Sequence, residues 1–186
     1  MTRRRRNHHG SGQAAALPPA PAPNPSRLRY RLPVAALALG GLTIATYLTL
    51  FQYGVISGVW DPFFGQGSKR VLTSSLSRAL PVRDSAVGAA AYLAELVLEL
   101  SGGRRRWHER PWLVLLTGAV AAALGLAAIG LVIAQPVLTG TFCTLCLCSA
   151  AVSLTIAALV RREVTAAARL VVYRRRAGQS LVSAVR

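Results

Sequence analysis

Four stretches of the chain carry almost no charge, and arginine-rich segments lie between and beyond most of them. The first runs from Pro33 to Tyr53. Its 21 residues, at about 1.5 Å each, give a helix of about 32 Å, enough to cross a bilayer core. Tyr47 and Tyr53 stand near its far end, where amphipathic rings favour the interface. Ser85 to Leu100 is shorter and marginal for spanning alone, but its small residues allow close helix packing. Trp112 to Ala134 is a clear span, and Phe142 to Val160 is the last. Gln135 to Thr141 reads as a short uncharged turn between them. The pattern predicts an all-α membrane protein, a bundle of four transmembrane helices. Its long loop, residues 54 to 84, joins helices one and two.

The segments outside the spans have their own character. Residues 1–29 pass from Arg-rich through Gly-Ser to Ala/Pro-rich sequence, a composition expected to stay disordered. His8 and His9 in that tail read as solvated, as does His108 in the 101–111 loop. The first apolar run is too long for the core of a cleaved signal, so none is expected. The long loop sets Trp60, Phe63 and Phe64 among turn formers, which predicts an ordered cap at the membrane surface. Residues 30–160 form the membrane domain. Residues 161–186 form a basic tail whose Val, Leu and Tyr content suits a helix lying on the membrane. Glu95 and Glu99, four apart, are candidates for intramembrane proton carriers, or for partners of Arg104, Arg105 and Arg106 at the interface.

Charge turns the pattern into a topology. The chain has 22 Lys and Arg against six Asp and Glu, a net charge of +16, within a composition that is 53% hydrophobic. The basic residues flank apolar runs and do not line an aromatic, polar face, so an acidic lipid surface suits them better than nucleic acid. Seven lie in the segment ending at Arg31, four in the 101–111 loop and seven in the C-terminal tail. Only four lie in the 54–84 loop, and none in the 135–141 turn. The positive-inside bias therefore puts both termini in the cytoplasm of a multi-pass inner-membrane protein, and the long loop outside.

The chemistry sits at the start of the fourth run. All three cysteines fall in Cys143-Thr144-Leu145-Cys146-Leu147-Cys148. Cys143 and Cys146, three apart at a helix start, share one face and can close and reopen a disulfide. The helix N-terminus favours the thiolate of the first. On the predicted topology Cys143 meets the oxidising side, and Cys146 lies about 4.5 Å deeper. Cys143 then suits exchange with an aqueous protein thiol, and Cys146 suits electron transfer to a lipid quinone. Cys148 is rotated by about 200° from Cys146 and does not join the pair. Two other readings stand beside this one. The cysteines could be packing residues or a static bridge in a non-catalytic tetraspan protein that binds a lipid or protein partner. Three thiolates could also hold a soft metal, although no histidine lies near and Cys148 points elsewhere.

The arrangement resembles the vitamin K epoxide reductase family across residues 33–160. The likeness rests on Phe142-Cys143-Thr144-Leu145-Cys146, and on Val71-Leu72-Thr73-Ser74 followed by Gly88 and Tyr92. It implies a four-helix bundle around a quinone, ubiquinone or menaquinone, with Cys143 and Cys146 as the active pair and a periplasmic thioredoxin-like protein as partner. By the same likeness Ser74 and Asp84 contact the quinone. One departure is large. The family's two loop cysteines are missing here, and Ser68 stands where the second would be. The resemblance thus implies thiol oxidation driven directly by a partner, or loss of the full reaction.

Overall fold

The computed structural model describes residues 24–75, 77 and 82–185. Residues 1–23, with most of the expected N-terminal tail and both His8 and His9, lie outside the described residues. So do 76 and 78–81 in the long loop. Among the described residues there are seven helices and no strand: α1 Leu28–Gln52, α2 Gly67–Leu72, α3 Asp84–Leu100, α4 Arg106–Glu109, α5 Pro111–Thr139, α6 Thr144–Arg176 and α7 Leu181–Val185.

Three of these, α1, α5 and α6, are long and apolar enough to cross a membrane. Helix α3 has 17 residues, about 25 Å of rise. It packs against α1 and α5, while α6 packs against α5 and α1, so the four long helices close a ring. The ring's centre is built from Val34, Ala38 and Ala45 of α1, Tyr92 of α3, Ala121 and Leu124 of α5, and Ile156 and Val160 of α6. Small residues set the spacing. A Cβ on Gly41 would clash with the ring of Tyr92 at its Cε1, and one on Gly118 would lie 2.6 Å from Val164 Cγ2. Such close backbone approach replaces hydrophobic driving force where the surroundings are as apolar as the interface.

Helix ends follow local chemistry. Pro111 opens α5, where its missing N–H costs nothing, and Gly140 closes it in the left-handed region at φ 64°. The helix runs five residues into the stretch that reads as a turn, so Gln135 is helical and buried. Pro136 sits inside the last turn, and its carbonyl still accepts from Gly140 N–H. Helix α6 continues without a break past Val160 to Arg176, because no Gly or Pro interrupts residues 144–176. Its extension packs Ala167 and Leu170 against Trp107 and Val114, and α7 folds back on it.

At the end away from the cysteines, buried charges tie the bundle together. Arg106 donates through Nε and Nη2 to both oxygens of Glu163, each at 2.7 Å, and through Nη2 to Glu99 at 3.0 Å. Its Nη1 meets the Leu98 carbonyl at 2.7 Å. Arg31 donates to the carbonyls of Glu99, Ser101 and Gly102. The two arginines thereby satisfy the orphan carbonyls at the C-terminus of α3. Of the three arginines expected to meet the glutamates, Arg106 does so, through Glu99. Glu95 is buried at 0% exposure, and neither of its oxygens has a hydrogen-bond partner among the described residues. Replacing Glu95 with leucine is expected to raise the unfolding temperature, since an unpartnered buried polar group costs about 1–3 kcal/mol. A lower midpoint in a thermal melt of the variant would contradict this reading.

Candidate functional site

The CxxC segment is positioned by the junction of α5 and α6. Cys143 is the N-cap of α6 in extended conformation, and its Sγ accepts from Cys146 N–H at 3.2 Å. The two sulfurs form a disulfide, with Cα atoms 5.2 Å apart. Gln135, two turns back along the chain on α5, accepts Cys143 N–H through Oε1 at 2.8 Å. That bond uses one of the donors a helix N-terminus leaves open. Cys148 is free and exposed, on another face of the helix.

Beneath the pair lies a cavity of about 530 Å³, walled mostly by Ala, Leu, Val and Gly side chains from all four long helices and α2. Cys146 is on its wall and Cys143 is not. The polar groups on the wall are few. Asp84 accepts from Gln52 Nε2 at 2.7 Å, Ser85 donates to Gln52 Oε1, and Thr49 donates to Ser85 at 3.0 Å. Tyr92 donates to the Ser149 carbonyl at 2.8 Å and shares hydrogen bonds with the hydroxyls of Ser149 and Ser153. An apolar hollow of this size with a few fixed polar groups has the form of a site for a small, mostly apolar ligand.

The residues expected from sequence are thus divided. Asp84 and Cys146 are brought together on the cavity wall. Ser74 is not on the wall, and its hydroxyl donates to the Val71 carbonyl at 2.7 Å. Ser77, three residues on, is on the wall, buried, and donates to the Leu72 carbonyl at 2.6 Å. Gln52, Ser77, Ser153 and Gln135 were not expected at the site. Gln135 had a signal: it is the one amide in the uncharged stretch 112–141, eight residues before Cys143.

Above the pair, the long loop forms a lid. Cys143 is 0% exposed. Gly67 at the start of α2 lies against Phe142, so closely that a Cβ there would overlap the Phe142 carbonyl oxygen and sit 2.7 Å from Thr141 Oγ1. Phe64 packs on Phe142 with ring centroids 5.7 Å apart. Asp61 latches the lid, accepting from Thr144 Oγ1 on α6, from Ser68 N–H at 2.8 Å and from Phe64 N–H at 3.1 Å. Burial alone would raise the Asp61 carboxyl, but the hydrogen bonds from Thr144, Ser68 and Phe64 outweigh it and hold the pKa below the ordinary value. The latch therefore contributes fully above the ordinary carboxylate range and fades as pH falls through the depressed value. Ser68, in α2, is buried within this lid. Trp60 and Phe63 point outward, 64% and 78% exposed.

This packing gives a test. Gly67→Ala must lift α2 from a backbone oxygen and is expected to destabilise the lid by about 1–3 kcal/mol. After reduction, Cys143 in the variant should react with a maleimide about tenfold faster than in the wild type. Equal labelling rates would show that α2 does not guard the sulfur.

No curated protein and no solved structure matches the chain. A family model does, over residues 32–161, and its description is the vitamin K epoxide reductase family. The matched region opens in the first turns of α1, takes in the lid, the cavity and the disulfide, and ends within α6. The likeness seen in the sequence and the disulfide over an apolar cavity therefore agree with an independent match across most of the chain, which belongs to the vitamin K epoxide reductase family.

Proposed function

We propose that this protein is an inner-membrane thiol–disulfide oxidoreductase that passes electrons from an extracytoplasmic thioredoxin-like protein to a lipid quinone. One observation carries the proposal: the disulfide bridges two environments, with Cys146 on the wall of the apolar cavity and Cys143 outside it beneath the lid. The cavity fits a quinone ring in size, in apolar lining and in its sparse polar groups. In this reading α3 also crosses the membrane, as the second of four spans. The N-terminus of α1, the 101–110 loop and the extension of α6 meet at one end, joined by Arg31, Arg106 and Glu163. That end carries most of the basic residues and faces the cytoplasm. The tail from residue 161 lies on the same side.

The chain's own residues then act in sequence. A partner thiolate attacks Cys143 Sγ, the Cys143–Cys146 bond breaks, and Cys146 leaves as a thiolate facing the cavity. The partner's second thiolate attacks its own sulfur in the mixed disulfide, which frees Cys143 and oxidises the partner. A quinone bound in the cavity supplies a two-electron, two-proton acceptor. Re-forming the Cys143–Cys146 bond releases those two electrons, and the two thiol protons balance the reduction. Because Cys143 is fully buried, the lid held by Asp61 has to open before the first step. Asp84 contacts the quinone in this scheme. The serine role expected at Ser74 requires its hydroxyl to leave the Val71 carbonyl, whereas Ser77 already stands on the wall.

The same burial of Cys143 favours a second reading, a non-catalytic family member in which the disulfide is a static bridge. Steady-state assays separate the two. Purified protein in lipid nanodiscs, given a reduced thioredoxin-like protein and a short-tailed quinone, is expected to consume both in equal amounts. No quinone reduction, with the bridge still oxidised, would favour the static reading.

A further inference from the structure

Apart from Gln135, each polar side chain on the cavity wall can be followed to its hydrogen-bond partner. Tyr92 gives its one proton to the Ser149 carbonyl, so the hydroxyls of Ser149 and Ser153 donate to Tyr92. Ser77 donates to the Leu72 carbonyl and Ser85 to Gln52. Asp84 accepts from Gln52, and a carboxylate has no proton to give. Gln135 is different. A backbone N–H can be met only by an acceptor, so the Cys143 N–H fixes which end of the amide is oxygen. The NH₂ end is thereby turned away from Cys143, and the side-chain hydrogen bond that Gln135 makes among the described residues runs through Oε1 and not through Nε2. Gln135 is 2% exposed and lines the cavity together with Cys146. Two donors thus stand uncommitted on the wall of the apolar hollow that Cys146 also lines, where lack of a partner is costly.

We infer that the Gln135 side-chain amide is the hydrogen-bond donor to one carbonyl oxygen of the quinone, and that it seats this oxygen beside Cys146. The inference rests on the quinone reading of the cavity. It makes one side chain serve both halves of the site. Oε1 holds the Cys143 backbone at the N-cap, and Nε2 orients the acceptor on the other sulfur. The hydrogen bond also strengthens as negative charge develops on the oxygen during reduction, so it favours the reduced state. No bond to Gln135 is made or broken in the reaction. It is a positioning residue, and the electrons and protons move as described above.

The probe is a short-tailed quinone carrying ¹³C at its carbonyl groups, bound to the protein in nanodiscs and read by infrared difference spectroscopy. In the wild type one of the two carbonyl bands is expected at lower frequency than in the free quinone. In Gln135→Met that band should return toward the free position, and quinone should bind about three- to tenfold more weakly. Should Gln135→Met fail to assemble, Gln135→Glu at alkaline pH carries the same test, since a carboxylate still accepts from Cys143 N–H but donates nothing. A downshifted band that persists unchanged in either variant overturns the inference. Free-quinone bands alone in the wild type would instead overturn the quinone reading beneath it.

Discussion

Cys146→Ser is expected to abolish quinone reduction by a reduced partner. Two roles meet in this residue. Cys146 is the cysteine on the cavity wall, and it is also the leaving group when a partner thiolate attacks Cys143. A serine in its place can neither re-form the bridge nor present sulfur to the cavity. A single-cysteine partner whose thiol is activated as a mixed disulfide with thionitrobenzoate should instead be captured by the Cys143 thiolate, with thionitrobenzoate leaving, and the captured species should accumulate on a non-reducing gel because no thiol at 146 or on the partner resolves it. Cys143→Ser should lose turnover equally but trap nothing. Cys148→Ser should keep it, since Cys148 is exposed and off the wall. Undiminished turnover in Cys146→Ser would remove the proposed electron path.

The largest effect on stability is expected at the other end of the bundle. The Arg106 side chain is 0% exposed and bonds Glu163, Glu99 and the end of α3 at once. Arg106→Met leaves Glu99 and Glu163 buried with Arg31 as the remaining nearby cation, near enough to pair Glu99 at 3.5 Å. Removing one partner from a buried ionic cluster costs about 3–5 kcal/mol, because the charges left behind stay desolvated. The unfolding midpoint in detergent should fall by several degrees. Adding Glu99→Leu and Glu163→Leu should recover part of the loss, as apolar replacement of a whole buried cluster often does. A midpoint unmoved by Arg106→Met would mean that the cluster contributes nothing to the fold.

How much of this was legible in the sequence depends on whether the cause is local. Long uncharged runs bounded by arginines identify α1, α5 and α6, because span length and charge placement are properties of contiguous sequence. The CxxC at a helix start was legible for the same reason. What escaped was tertiary. Glu163 reads as part of a basic tail, yet it sits 57 residues from Arg106 and meets it only because α6 continues past Val160. Gln135 reads as a turn residue, but α5 continues through Pro136 to Thr139 and leaves Gln135 helical and buried. Cys143 reads as the outward sulfur from its depth, and depth says nothing of the α2 residues that cover it. The hydroxyls of Ser74 and Ser77 take opposite roles through the short turn after α2, which residue spacing cannot resolve.

The central claim is that this disulfide exchanges electrons with a quinone in the cavity, and it can be tested without any partner. The protein is reduced in nanodiscs under anaerobic conditions, freed of reductant and mixed with one equivalent of short-tailed quinone, while quinol absorbance and free thiols are followed together. The account predicts one quinol per chain, with two of the three cysteine thiols lost as the Cys143–Cys146 bridge re-forms. A quinone that stays oxidised beside three persistent thiols would contradict it.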